Sequence, residues 1–188
     1  MIYMILADGF EEVEALTPLD LLRRAGVEIL TVGLEKKTAT GSHGITFFTD
    51  ISSDEADPSL ADGVILPGGM PGSLNLDASP FVDKVIKEVS KKEGRLAAIC
   101  AAPLILGRRG LLENRSAVCY PGFENELRGA TVPENAGVVT DHNITTAKGM
   151  GVAFEFGIEL VRLLCGEDKS LAISKSTMKD FSSVTAII

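Results

Sequence analysis

The chain has 188 residues, 45% of them hydrophobic and 23% charged, the composition of a water-soluble globular protein with ample length for one core. Its net charge of −8, from 26 acidic against 18 basic residues, argues against specific nucleic-acid binding or an anionic membrane surface. Three widely spaced cysteines (Cys100, Cys119, Cys165) and two histidines (His43, His142) give neither a disulfide framework nor a zinc-ligand cluster.

Ile2 to Ala7 reads as a buried strand, too quickly interrupted by Asp8 to be a signal peptide. With no apolar run long enough to span a bilayer, the expectation is a cytoplasmic protein. After the Asp8-Gly9-Phe10 turn comes a helix that ends in Arg23-Arg24-Ala25-Gly26, a basic last turn with a glycine stop. Its start is ambiguous. Thr17-Pro18-Leu19-Asp20 has the local form of an N-cap, whereas Val13, Leu16, Leu19 and Leu22 are spaced for an earlier start; the expectation is a short turn leading into a kinked helix. Val27 to Gly33 is the next strand, and Gly41 to Asp50 reads as a hairpin arm bending near Ser42-His43-Gly44.

Val64-Ile65-Leu66 reads as a buried strand running into Pro67-Gly68-Gly69. The clearest helix follows: Ser79 as cap, Pro80 in the first turn, and Phe81, Val82, Val85, Ile86 and Val89 along one face. Leu96 to Ile99 is another buried strand, turning at Cys100-Ala101-Ala102 into a helix at Leu104-Ile105-Leu106. Gly137 to Thr140 and Ile144 to Ala147 are strands joined at Asp141-His142-Asn143, and Val152 to Cys165 is the last long amphipathic helix. Strands separated by helices imply a flavodoxin-like α/β fold, a doubly wound parallel sheet with helices on both faces, as a single domain over residues 1–188.

Cys100 sits where a strand turns sharply into a helix. A nucleophile on such an elbow stands clear of the sheet beside the helix-start N–H groups, so its pKa is expected to fall. The octapeptide alone is equally compatible with a small core cysteine. If the three strands before Asp8, Pro67 and Cys100 are parallel, their loops share one rim, where ligands bind in open α/β sheets. An acid from Glu11, Glu12 or Glu14, the amides of Gly68 and Gly69, and the thiol then meet. A neutral carboxylic acid against the sulfur supplies a shared proton, and the Gly68, Gly69 and Ala101 N–H groups stabilise an oxyanion. A solvated helix start accounts for Glu11 and Glu12, and a tight turn for the glycines, when each is taken singly. Gly149-Met150-Gly151 lacks the full dinucleotide pattern, so no nucleotide site is expected there.

Taken in order, Leu6-Ala7-Asp8-Gly9-Phe10-Glu11-Glu12-Val13-Glu14, Leu66-Pro67-Gly68-Gly69, Ala97-Ala98-Ile99-Cys100-Ala101, Tyr120-Pro121-Gly122 and Phe154-Glu155-Phe156 resemble the ThiJ/PfpI superfamily, in the branch of the parkinsonism-associated deglycase. The resemblance runs from the first strand to about Cys165. It implies a homodimer with an oxidation-sensitive nucleophile at Cys100, its hydrogen-bonding glutamate at Glu14 and oxyanion donors at Gly69 and Ala101. It further implies interface positions at Glu11, Asp20 and Arg24, with His43 where relatives carry an arginine. Tyr120 stands where several relatives have a histidine, and Ala101 where protease-like members have one, so a cysteine amidase or protease is poorly supported. The implied activity is a cysteine-dependent, glutathione-independent glyoxalase or deglycase acting on methylglyoxal and related α-oxoaldehydes. Tyr120 would give a phenolic hydrogen bond, and the scheme calls for no cofactor or metal. The alternative is a redox-responsive sensor or chaperone using the same site. Gly166 to Ile188 looks less like the family.

Overall fold

The computed structural model describes residues 1–179. In chain order its elements are β1 (Ile2–Leu6), α1 (Glu12–Ala25), β2 (Ile29–Gly33), β3 (Thr38–Thr40), β4 (Thr46–Phe48), β5 (Ile51–Ser52), β6 (Gly63–Leu66), α2 (Gly72–Asp77) and α3 (Pro80–Lys91). There follow β7 (Arg95–Ile99), α4 (Pro103–Arg108), β8 (Val138–Asp141), β9 (Ile144–Ala147), α5 (Ala153–Cys165) and α6 (Glu167–Ser176).

Seven strands form one sheet in the order β5-β2-β1-β6-β7-β9-β8. All pairings are parallel except β8 with β9, a hairpin closed at Asp141-His142-Asn143 with His142 at φ +54°. The parallel sheet expected from the alternating pattern is therefore present, with one antiparallel strand at its edge. Strand residues alternate between two cores, as period-two geometry requires. Tyr3, Ile5, Leu96 and Ala98 pack with α3 and α4, while Met4, Leu6, Ala97 and Ile99 pack with α1 and α5.

Helix α1 begins at Glu12, with the Glu11 side chain accepting from the Glu14 N–H at 2.7 Å. Thr17 is not its cap, contrary to the local reading, and Pro18 lies inside the helix. The reason is tertiary. Gly157 of α5 lets that helix approach so closely that a Cβ there would lie 2.9 Å from Pro18 Cα. Helix α1 thus continues through the proline under packing that its local sequence does not encode. Helix α3 keeps its expected Ser79 cap and apolar face. The sequence reading ended its helices at Cys165; α6 follows, packing against α5 and α1 with Ile173 buried. Residues 180–188, the end of the segment least like the family, lie outside the described residues.

Candidate active site

Strands β1, β6 and β7 are adjacent and parallel, so the loops that leave their carboxyl ends share one rim. Backbone hydrogen bonds then tie the first two loops together. The Glu11 N–H bonds the Gly68 carbonyl at 2.9 Å, and the Gly72 N–H bonds the Gly9 carbonyl at 3.1 Å. Glycine is required where they touch: a Cβ on Gly69 (φ +90°) would meet the Glu11 nitrogen at 2.4 Å.

Cys100 adopts φ +65°, a left-handed conformation that a cysteine rarely takes and that marks an elbow held by its surroundings. Its N–H bonds the Ala147 carbonyl at 2.9 Å, and its carbonyl accepts from the Tyr120 N–H at 2.7 Å. The thiol is partly exposed, touches both cores, and is hydrogen-bonded to the carboxyl of Glu14 from the first turn of α1. The Glu14 side chain is buried. Its Oε2 accepts from the Gly68 N–H at 3.1 Å, and the Met150 N–H is a further donor. Gly68 is where the groups converge: a Cβ there would stand 2.4 Å from Glu14 Oε2 and 2.5 Å from Cys100 Cβ.

Burial pushes the Glu14 carboxyl up to about 7, the Glu11 charge adds to this, and the Cys100, Gly68 and Met150 hydrogen bonds oppose it. Burial likewise pushes the Cys100 thiol up to about 12, reinforced by the charge and hydrogen bond of Glu14, while the Gly69 and Ala101 N–H groups pull the other way. The expectation that a helix start alone would lower the thiol pKa is thus corrected. Helix α4 has only six residues, and its dipole is outweighed by desolvation and a neighbouring acid. The hydrogen-bonded pair titrates as one unit that holds both protons in acid and a single proton from about pH 7 upward.

The structure brings Cys100, Glu14, Gly68, Gly69 and Ala101 together, but with a division of labour the sequence did not give. The Gly68 amide serves the acid, whereas those of Gly69 and Ala101 face the sulfur. Tyr120 lies beside them, its ring 3.4 Å from where a Gly149 Cβ would stand and its side chain half-exposed. Met150 was missed as a site residue. The signal was available, because β9 also runs parallel to β7 and its following loop therefore reaches the same rim.

Glu11 and Glu12 stand at the very start of α1 and His43 on the β3–β4 turn, with potential ligand atoms within 4.8 Å of one another. These donors are already engaged. Glu12 accepts from the His43 N–H at 2.9 Å and the Ile45 N–H at 3.4 Å, and its Oε2 lies 3.0 Å from His43 Nδ1. Glu12 works as a clamp on the hairpin turn. Asp20 and Arg24 pair with each other along α1 at 2.6 Å.

A flavodoxin-like α/β sheet with a cysteine in a left-handed elbow against a buried acid defines the class of protein to which this chain is compared. The DJ-1/PfpI family profile matches residues 1–163, and the chain belongs to that family. It is 32% identical to protein dj-1beta of Drosophila melanogaster over 177 residues, covering 93% of this chain and 95% of that protein. The crystal structure of Drosophila DJ-1beta superposes with a TM-score of 0.90 at 31% identity, covering 95% of this chain and 97% of that one. A protein named as a deglycase in Pyrococcus abyssi is 33% identical, covering 87% of this chain and 98% of its own length. One named as a glutathione-independent glyoxalase in Caenorhabditis elegans is 29% identical, covering 88% of each. Protein DJ-1 homolog B of Arabidopsis thaliana is 36% identical over 172 residues, but the chain spans only 39% of its length. No helix among the described residues is long and apolar enough to cross a membrane.

Proposed function

We propose that this protein is a glutathione-independent glyoxalase of the deglycase type, converting methylglyoxal and related α-oxoaldehydes to 2-hydroxy acids. The observation that carries this reading is the hydrogen-bonded Cys100–Glu14 pair beneath the Gly69 and Ala101 amides. At neutral pH the ionised Glu14 takes the thiol proton as Sγ attacks the aldehyde carbon. The resulting alkoxide accepts hydrogen bonds from the Gly69 and Ala101 N–H groups and is then protonated, giving a hemithioacetal. Glu14, again ionised, removes the proton from that carbon to form an enediol and returns a proton to the neighbouring carbon. The product is a lactoyl thioester on Cys100. Water cleaves it, releasing lactate and restoring the thiol. The oxidation of one carbon balances the reduction of the next, so no external oxidant or reductant is consumed. Tyr120 stands close enough to the acid for its ring to line the substrate space, and its phenolic hydroxyl would serve as a further donor.

The names of the Pyrococcus and Caenorhabditis relatives support this reading. A lactate assay on purified protein with methylglyoxal tests it. Wild type should form lactate, whereas Cys100→Ser and Glu14→Gln should lose at least about a hundredfold of the rate. Wild-type rates in either variant would refute the assignment.

The same donors suit a second reading as a redox sensor, since a sulfinate on Cys100 would be held by the Gly69 and Ala101 amides and by protonated Glu14. Partial exposure favours Cys100 over the buried Cys119, and against the exposed Cys165 it is the Gly69 and Ala101 amides and Glu14 that favour oxidation at the elbow. Mild peroxide should then add two oxygens to Cys100 in preference to Cys119 and Cys165, as read by mass spectrometry. We take the protein to act in the cytoplasm as a single-domain chain and as a homodimer, with Glu11, Asp20, Arg24 and His43 at the interface. The exposed Val13 on α1 is consistent with such a face.

A further inference from the structure

The mouth of the Cys100–Glu14 site carries large apolar side chains that the chain leaves uncovered. Tyr120 is 52% exposed, Met150 56% and Met70 43%. Each is tied through the backbone to the reacting pair. The Tyr120 N–H bonds the Cys100 carbonyl at 2.7 Å. The Met150 N–H reaches the Glu14 carboxyl, and Met70 directly follows Gly69, whose N–H faces the sulfur. The side chain missing at Gly149 leaves a slot between ring and acid: a Cβ there would lie 3.4 Å from Tyr120 Cδ2 and 3.6 Å from Glu14 Oε1. The charge around this slot is acidic, because Glu11 acts on Glu14. Lys148, which precedes Gly149, donates to the Glu134 carbonyl at 2.9 Å and keeps its charge, which acts on Cys119.

We infer that Met70, Tyr120 and Met150 form an apolar collar that selects neutral α-oxoaldehydes carrying an alkyl or aryl substituent, over bare glyoxal and over anionic aldehydes such as glyoxylate. The inference rests on the aldehyde reading above and names the part of the substrate class the site takes. A substituent leaving water for this collar gains from apolar burial, and an aryl ring gains further from contact with the methionine sulfurs. A hydrogen atom in the same place gains nothing. A carboxylate brought beside Glu11 and the singly charged Cys100–Glu14 pair is repelled. The backbone donors at positions 70 and 150 survive truncation of these side chains, so the collar can be removed without removing the amides that serve the acid.

The test compares kcat/KM for phenylglyoxal, methylglyoxal, glyoxal and glyoxylate in wild type, Met70→Ala/Met150→Ala and Met70→Leu/Met150→Leu. In parallel, the rate of Cys100 alkylation by N-phenylmaleimide is compared with that by iodoacetate, each scaled to free cysteine. The alanine pair should lower the phenylglyoxal-to-glyoxal ratio about tenfold, mainly through KM, and lower the aryl-over-anion alkylation preference with it. The leucine pair, which keeps the apolar surface, should retain both. Unchanged ratios in the alanine pair in both assays would overturn the collar. If wild type turns over none of the aldehydes but the alkylation preference exists and falls in the alanine pair, the collar stands and the glyoxalase reading is what fails.

Discussion

Helix α4 has an ionisable cluster at each end, and the two are built on opposite terms. At its carboxyl end Arg108 binds Asp77 at 2.5 Å and Glu126 at 2.6 Å, while Arg109 binds Asp77 at 2.6 Å and also Asp83. Burial works against the Arg109 charge, but the two aspartates more than offset it. Before its amino end, Cys100 and Glu14 are two acids that share one buried corner with no basic partner among the described residues; burial raises the proton affinity of both, and Glu14 raises that of Cys100 further. The first cluster has opposite charges in contact and contributes to holding α2, α3 and α4 together. The second holds a proton whose position is easily changed. The Cys100–Glu14 corner is where compensation was left out, and the fold elsewhere has to make that tolerable.

Changes that force the acid pair apart should have the largest effect. Gly68→Ala places a methyl group against Glu14 Oε2 and Cys100 Cβ, and lactate formation should fall by at least about a hundredfold. Near-normal turnover in that variant would mean the pair does not act as a unit.

The next effect is on stability. The folded Glu14 pKa lies above its ordinary value of 4.5, so the native state holds this proton more tightly than the unfolded chain. Its contribution is complete below about pH 4.5 and is lost as pH rises through about 7, amounting to about 3 kcal/mol. Urea denaturation should show wild type weakening across that window relative to Glu14→Gln, which has no such proton to lose. Parallel curves for the two proteins would contradict the raised pKa.

At the opposite end of α4, Arg109→Ala should cost about 2 kcal/mol by leaving Asp77 and Asp83 short of a partner. Lactate formation in the folded fraction should stay within about twofold of wild type, because that cluster touches none of the reacting groups. A loss of turnover without a loss of stability would erase the distinction between the two ends. The smallest effect concerns Cys119. Its thiol is also pushed up, to about 11, by burial and then by the charge of Glu124, which acts on it without a hydrogen bond to the sulfur. Cys119→Ala should change stability by about 1 kcal/mol and leave turnover unaffected. Lost activity would mean that a second thiol takes part.

Much of this arrangement could be read from the chain. The apolar runs at Ile2–Leu6, Val64–Leu66 and Leu96–Ile99 gave the central strands, and their following loops gave the shared rim. What stayed hidden depended on contacts between distant segments. Thr17-Pro18 has the form of a helix start, but packing of Gly157 against Pro18 carries α1 through it. The direction of the thiol pKa was misread because the elbow suggests a helix dipole, while burial and the placement of Glu14 are properties of the assembled fold. Met150 escaped because its contribution is a main-chain N–H, which residue type does not advertise.

The central claim is that Glu14 and Cys100 share one proton, and the pH dependence of Cys100 alkylation by iodoacetamide, followed by mass spectrometry, tests it most directly. In wild type the rate should rise through about pH 7, where the pair loses its first proton. In Glu14→Gln that rise should move to alkaline pH by about two units, since a buried thiol must then ionise unaided. Coincident profiles in the two proteins would show that the sulfur titrates independently of the acid, and the mechanism built on their exchange would not stand.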